Sequence, residues 1–131
     1  MNIKNSIFFL AIFVFLSGSI YFLKPPEPLA FCKSSKTSTP YCKFVGNASQ
    51  VYVNSEGTGL VVLELPINIQ SASDYGYEIT SGSAFAFDLK DQNSRMMFDL
   101  VTTAFFNDKV IEIHARDVKK GYLLADRVWV R

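Results

Sequence analysis

Ile7 to Leu16 is an unbroken run of ten apolar residues. A run of that kind is not at home on the surface of a water-soluble domain. It divides the chain into an N-terminal segment suited to a membrane or an export channel and a remainder that must build its own core. Lys4 supplies a short positive region ahead of the run, and Ser17-Gly18-Ser19 offers small residues for a cut after Ser19. That is the pattern of a secretory signal peptide. Apolar character resumes at Ile20–Leu23, so the stretch from Ile7 to Leu23 has the minimum length of a membrane-spanning helix. Positive charge at its N-terminal side would keep that end in the cytoplasm. Residues 1–23 are therefore expected to be a signal peptide or a membrane anchor. Either way the rest is exported: periplasmic or secreted, or held at the inner membrane facing outward.

Residues 24–43 read as a spacer and a disulfide loop. Pro25, Pro26 and Pro28 favour a stiff, extended chain. Cys32 and Cys42 are the two cysteines, and an even number in an exported chain favours a disulfide. Zinc wants four ligands, and the sole histidine, His114, lies far along the chain. No metal and no cofactor is expected. Lys4 is the only charged residue before Ser19, so the remainder carries twelve basic and twelve acidic residues. A neutral domain lacks the basic footprint of a nucleic-acid binder.

Residues 44–131 carry the periodic segments. Phe44–Asn54 reads as the first strand, rich in Val and Tyr. A turn at Asn54–Gly59 follows, then an apolar run at Leu60–Leu65 that Pro66 ends. Ile67 and Ile69 alternate with Asn68 and Gln70, so a strand is expected to resume briefly there; Ser71–Gly82 then reads as a polar surface loop with room for a short strand at Tyr75–Ile79. Ala84–Leu89 alternates as a strand. Asp91 or Asn93 can cap a helix whose stripe is Met96, Met97, Leu100, Val101, Ala104 and Phe105, with Asn107 as its stop. Lys109–Ala115 is a strand with Ile111, Ile113 and Ala115 toward the core, and Tyr122–Val130 is the last. The expectation is a mainly β domain with one helix: a small five-stranded OB-like barrel of strand order β-β-β-α-β-β. An α+β roll and a β-sandwich with one helix across it are the alternatives.

Catalytic signals are weak. His114 could serve general acid–base chemistry with Asp117 and Asp126, yet no serine or cysteine sits in a nucleophile elbow. Asp88, Asp91 and Asp99 lack calcium-loop spacing. Gly57 and Gly59 read as turn glycines, and Asn47-Ala48-Ser49 matches a glycosylation sequon. The residues best suited to binding are aromatic with polar tips: Tyr75 and Tyr77 in the long loop, Tyr122 and Trp129 in the last strand.

The stretch from Ala84 to Val130 resembles a known family. Its features are the aromatic strand Ser83-Ala84-Phe85-Ala86-Phe87 and the helix ending Leu100-Val101-Thr102-Thr103-Ala104-Phe105. The strand start Lys109-Val110-Ile111-Glu112-Ile113 and the close on Val128-Trp129-Val130 complete the pattern. It is similar to the OB-fold B subunits of bacterial AB5 toxins, the subtilase cytotoxin type among them. The resemblance implies an exported OB domain that binds glycans or proteins, in some members as a homo-oligomeric, pentameric ring. It carries over no individual binding residue. This chain lacks the cysteine often found between the last two strands and has its cysteine pair before the first. The expected function is an exported, non-enzymatic binding module for a glycan or protein partner, touching a membrane only through an uncleaved leader. A membrane-tethered accessory component of a cell-envelope complex is the alternative, and a small exported hydrolase built on His114 is a second.

Overall fold

The computed structural model describes residues 26–131, and the signal-or-anchor segment expected over residues 1–23 lies outside the described residues. Seven strands and two helices follow: β1 Leu29–Ser35, β2 Ser38–Gly46, β3 Ala48–Val53, β4 Thr58–Leu63, α1 Ile69–Asp74, β5 Ala84–Asp88, α2 Gln92–Phe106, β6 Ile111–Lys119 and β7 Tyr122–Val130. The strands form one mixed sheet of order β1-β2-β6-β7-β5-β4-β3, in which β5 and β7 are the parallel pair. Among the described residues no helix is long and apolar enough to cross a membrane.

The mainly β expectation holds, but the count of five strands and one helix is corrected. One of the two extra strands comes from the segment read as a disulfide loop, and the other from a split in the strand that follows. Cys32 and Cys42 stand directly opposite each other in an antiparallel hairpin of β1 and β2, and they form a disulfide. The residues between them are polar because most of them lie in the exposed hairpin end. The strand expected over Phe44–Asn54 begins earlier and is interrupted at Asn47. Its first part, β2, pairs with β6, and its second part, β3, pairs with β4. No β2–β3 ladder closes the sheet, so its hydrogen-bonded order is open.

The polar segment 67–83 holds a helix rather than a strand. Asn68 caps α1 by accepting from the Ser71 N–H at 2.8 Å. Only Ala72 of this helix is buried, so it shows no apolar periodicity. The segment returns to the sheet in close contact with itself: the Ile67 N–H donates to the Gly82 carbonyl at 2.9 Å. A Cβ at Gly82 would lie 1.8 Å from the Ile67 carbonyl oxygen, so only glycine fits.

The core lies between the inner face of the sheet and α2. Phe44, Val61, Phe85, Phe87, Ile111, Ile113 and Leu123 are fully buried there. Ile111, Ile113 and Ala115 face inward as their alternation requires. Asp91 caps α2, accepting from the Ser94 N–H at 2.7 Å. The phase of this helix differs from the expected stripe. Ser94, Phe98, Val101 and Ala104 are buried, whereas Met96 is 63% and Leu100 44% exposed. Phe98 decides the phase. Its ring packs on Phe87, with centroids 5.5 Å apart, in space left by Gly59, where a Cβ would come within 2.7 Å of the ring. Burying a side chain of this size stabilises by roughly 2–3 kcal/mol, so the ring fixes which face turns inward.

Candidate functional site

Strand alternation sorts β1, β2, β6 and β7 into two faces. Cys42, Phe44, Ile111, Ile113 and Ala115 turn inward, so Tyr41, Lys43, Glu112 and His114 turn outward. The register carries the outward set across four strands: Lys33 opposite Tyr41, Lys43 opposite His114, Glu112 opposite Trp129, and His114 opposite Arg127. Both described helices pack against the inward residues, so among the described residues this face is left open around Trp129, 43% exposed.

Three rings form a row across β2, β6 and β7. Tyr41 stacks on His114 with centroids 4.9 Å apart and planes inclined by 15°. His114 meets Trp129 at 4.7 Å in a tilted arrangement. The row continues onto β1, where the Lys33 ammonium lies 5.5 Å from the ring centroids of both Phe31 and Tyr41. Cation–π contacts of this kind are worth about 0.5–1 kcal/mol at an exposed site.

Glu112 lies beneath the row and is 6% exposed. Its Oε1 accepts from Lys43 Nζ at 2.7 Å and from His114 Nε2 at 2.9 Å, and its Oε2 pairs with the Arg131 guanidinium. Burial is the largest single influence on its carboxyl and pushes the pKa up. The hydrogen bonds from Lys43 and His114, with the charges of Lys43 and Arg131, outweigh it and hold the pKa below the ordinary value. His114 moves down as well. Burial, with the charges of Lys43 and Arg127, disfavours the imidazolium more than the hydrogen bond and charge of Glu112 favour it, which shifts the ring toward its neutral form. Neutral His114 then donates through Nε2–H to Glu112, which fixes the ring plane between Tyr41 and Trp129. The result is a rigid aromatic platform with cations at its margins and its one buried carboxylate already paired.

The four aromatic residues singled out from sequence do not converge. Trp129 lies in the platform. Tyr122 is half-buried at the other end of β7. Tyr75 follows α1 as its C-cap and is 37% exposed. Tyr77 is 7% exposed, its hydroxyl donates to the Pro40 carbonyl, and burial pushes its pKa up. Its ring is a core element and offers no open face for stacking. Tyr41, Lys33 and Glu112 were not singled out as binding residues. Glu112 and His114 share an outward face by strand alternation, but Tyr41 reaches them only through the β2–β6 pairing. The grouping of His114 with Asp117 and Asp126 does not form: His114 bonds Glu112, and Asp126 pairs with Arg127 at 3.3 Å and Arg116 at 3.7 Å.

Among the described residues no group of three or more His, Cys, Asp or Glu side chains is placed to hold a metal ion. Comparison with protein-family models, with curated proteins and with solved structures finds no match to this chain.

Proposed function

We propose that this chain is an exported, non-enzymatic binding module that takes a carbohydrate on the open sheet face around Trp129. The exposed Trp129 ring, braced by His114, carries the reading. A sugar presents a C–H face that stacks on such a ring and hydroxyl groups that bond the polar tips beside it. Arg127 and Arg131 lie two residues to either side of Trp129, and Lys33 lies over Phe31 and Tyr41 at the far end of the ring row; these cations favour an acidic sugar. The hydrogen-bond partner of His114 is the Glu112 carboxylate and not a hydroxyl or thiol, which favours binding over catalysis.

The same proposal includes an OB-like barrel as the frame. Its support is the chain path: β2 runs into β3 through Asn47 alone, and the two parts pair with β6 and β4 respectively. One bent strand thus joins the two arms of the sheet, as the first strand of such a barrel does. The parallel β5–β7 pair and the helix between β5 and β6 agree with that path.

The test is a glycan array probed with the full chain and with Trp129→Ala. The ring is substantially exposed, so its removal should leave the fold intact and weaken binding by about ten-fold or more, the scale of a lost stacking contact. Binding to acidic glycans should also weaken with added salt. An array signal that Trp129→Ala leaves unchanged would remove this face from the site.

A further inference from the structure

The register gathers four strand termini at one end of the sheet. Leu29 pairs with Val45, Gly46 with Ile111, and Ile111 with Val130, so the start of β1, the end of β2, the start of β6 and the end of β7 lie side by side. The last turn of α2 reaches the same end. There the Lys109 N–H donates to the Ala104 carbonyl at 3.0 Å, and the Arg131 N–H to the Val110 carbonyl at 2.8 Å. Leu65 joins it just after β4, because Glu64 and Asn47 exchange hydrogen bonds. This end is apolar where it meets solvent. Phe106 is 75% and Leu29 52% exposed, and Leu65, Leu100 and Val130 are exposed as well. Between α2 and β7 a shallow groove of about 250 Å³ is lined by Leu100, Thr103, Ala104, Asn107, Lys109 and Val130. The opposite ends of the same strands are polar: among the described residues, neither the β1–β2 turn nor the β6–β7 turn exposes a large apolar side chain.

We propose that this end of the domain rests on the lipid bilayer that holds the chain's own leader, a contact made by folded residues in addition to the leader itself. The position at which the folded chain begins points to this occupant. The apolar stretch Ile7–Leu23, read from sequence as a signal or an anchor, stops six residues before Leu29. Six residues span at most about 20 Å, even where prolines hold them extended. The headgroup layer takes up roughly 5–8 Å of that reach. An anchored leader therefore brings the Leu29 end of the domain nearest the membrane, and that is the end whose rim is apolar. A contiguous apolar rim left in water marks an interaction surface. Charge does not select the partner, because Lys109 and Arg131 at this end are matched by Asp108 and Glu64. The contact is apolar and needs no anionic lipid. A small soluble ligand fits less well, since the groove is shallow and falls below the usual range of ligand pockets, which starts at about 300 Å³.

Trp129 is the only tryptophan, and it immediately precedes Val130, so its fluorescence reports on this end. The full chain is reconstituted into phosphatidylcholine vesicles, with and without bromine on the lipid chains near the headgroups, and vesicle-bound chain is isolated by flotation. Brominated lipid should quench Trp129. The double variant Leu29→Ser with Phe106→Ser removes the two most exposed apolar side chains of the rim. The leader should still hold it on the vesicles, while the quenching is largely lost. Phe106→Ser alone, at a position too exposed to carry the fold, should act in the same direction. Tyr52→Ser, at an exposed apolar position on β3 away from the rim, should leave the quenching unchanged. None of these readouts involves a sugar, so failure of the platform reading and failure of this one are separable. The inference is overturned if vesicle-bound chain shows no quenching, or if the rim variants are quenched as strongly as the wild type. Loss of quenching in Tyr52→Ser to the same degree would overturn it too. Recovery from the producing cell of only a form beginning at Ile20 would do so equally, because no leader would then hold the domain at a bilayer.

Discussion

Glu112→Gln tests the platform most directly, because the substitution keeps the shape of the side chain and deletes its charge. Glu112 faces Lys43 at 2.7 Å, and the Lys43 side chain is 21% exposed. Removing one partner of a fully buried ion pair costs about 3–5 kcal/mol. Lys43 retains some solvent and the Arg131 side chain is 61% exposed, so the expected cost is nearer to about 2 kcal/mol. For a domain of this size that lowers Tm by about 10 °C at neutral pH. The pH dependence sharpens the test. The Glu112 pKa is held below its ordinary 4.5 in the fold, so its contribution is present above the unfolded value and is lost as pH falls through the folded one. The wild type should therefore lose stability on acidification below about pH 4.5, and the Gln variant, which lacks this titration, should converge with it there. The His114 pKa is also lowered, chiefly by burial, from 6.5. The folded state resists its protonation, so stability falls as pH drops below the unfolded value. That loss should be steeper in the Gln variant, where no carboxylate offsets the imidazolium. Thermal melts followed by circular dichroism, from neutral pH down to about pH 3, measure both effects. A Tm gap that stays constant across this range would refute the electrostatic account. So would a gap below about 2 °C at neutral pH.

Two further substitutions probe the frame. Replacing Cys32 and Cys42 by alanine should cost about 2–3 kcal/mol; hydrogen exchange should show β1 losing protection while β4 and β5 keep theirs, and unchanged protection of β1 would contradict its dependence on the bridge. Gly82→Ala should cost about 3 kcal/mol or more, because the clash is with the Ile67 carbonyl oxygen and not with a movable side chain; a wild-type melting curve would disprove the close pass of the two segments.

Strands β4 to β7 and α2 were legible in the sequence because each carries its own signal within a few residues. Ala84–Asp88 alternates, and Asp91 stands ahead of a helical stripe. The disulfide was legible from the cysteine count. β1 was not, because its hairpin end faces water and its apolar content is confined to Leu29–Cys32. The phase of α2 was ambiguous for the opposite reason. Met96 and Leu100 are as apolar as the residues that turn inward, and only the fit of Phe98 against Gly59 and Phe87 decides between the faces. Of the candidate site, Trp129 was marked by residue type and His114 by its rarity. Their meeting with Tyr41 and Lys43 depends on long-range register, for which no local pattern exists.

The single-residue junction at Asn47 bears on the order in which the chain assembles. The hairpins β1–β2, β3–β4 and β6–β7 join neighbours in sequence and can form early. The β2–β6 ladder, from Cys42 with Ala115 to Gly46 with Ile111, must wait for nearly the whole domain to be present. Because β2 and β3 are one path, completing that ladder also sets the position of the β3–β4 hairpin relative to β6 and β7. Slow docking of two preformed arms, limited by the entropy of closing a long loop, is the expected last step in folding.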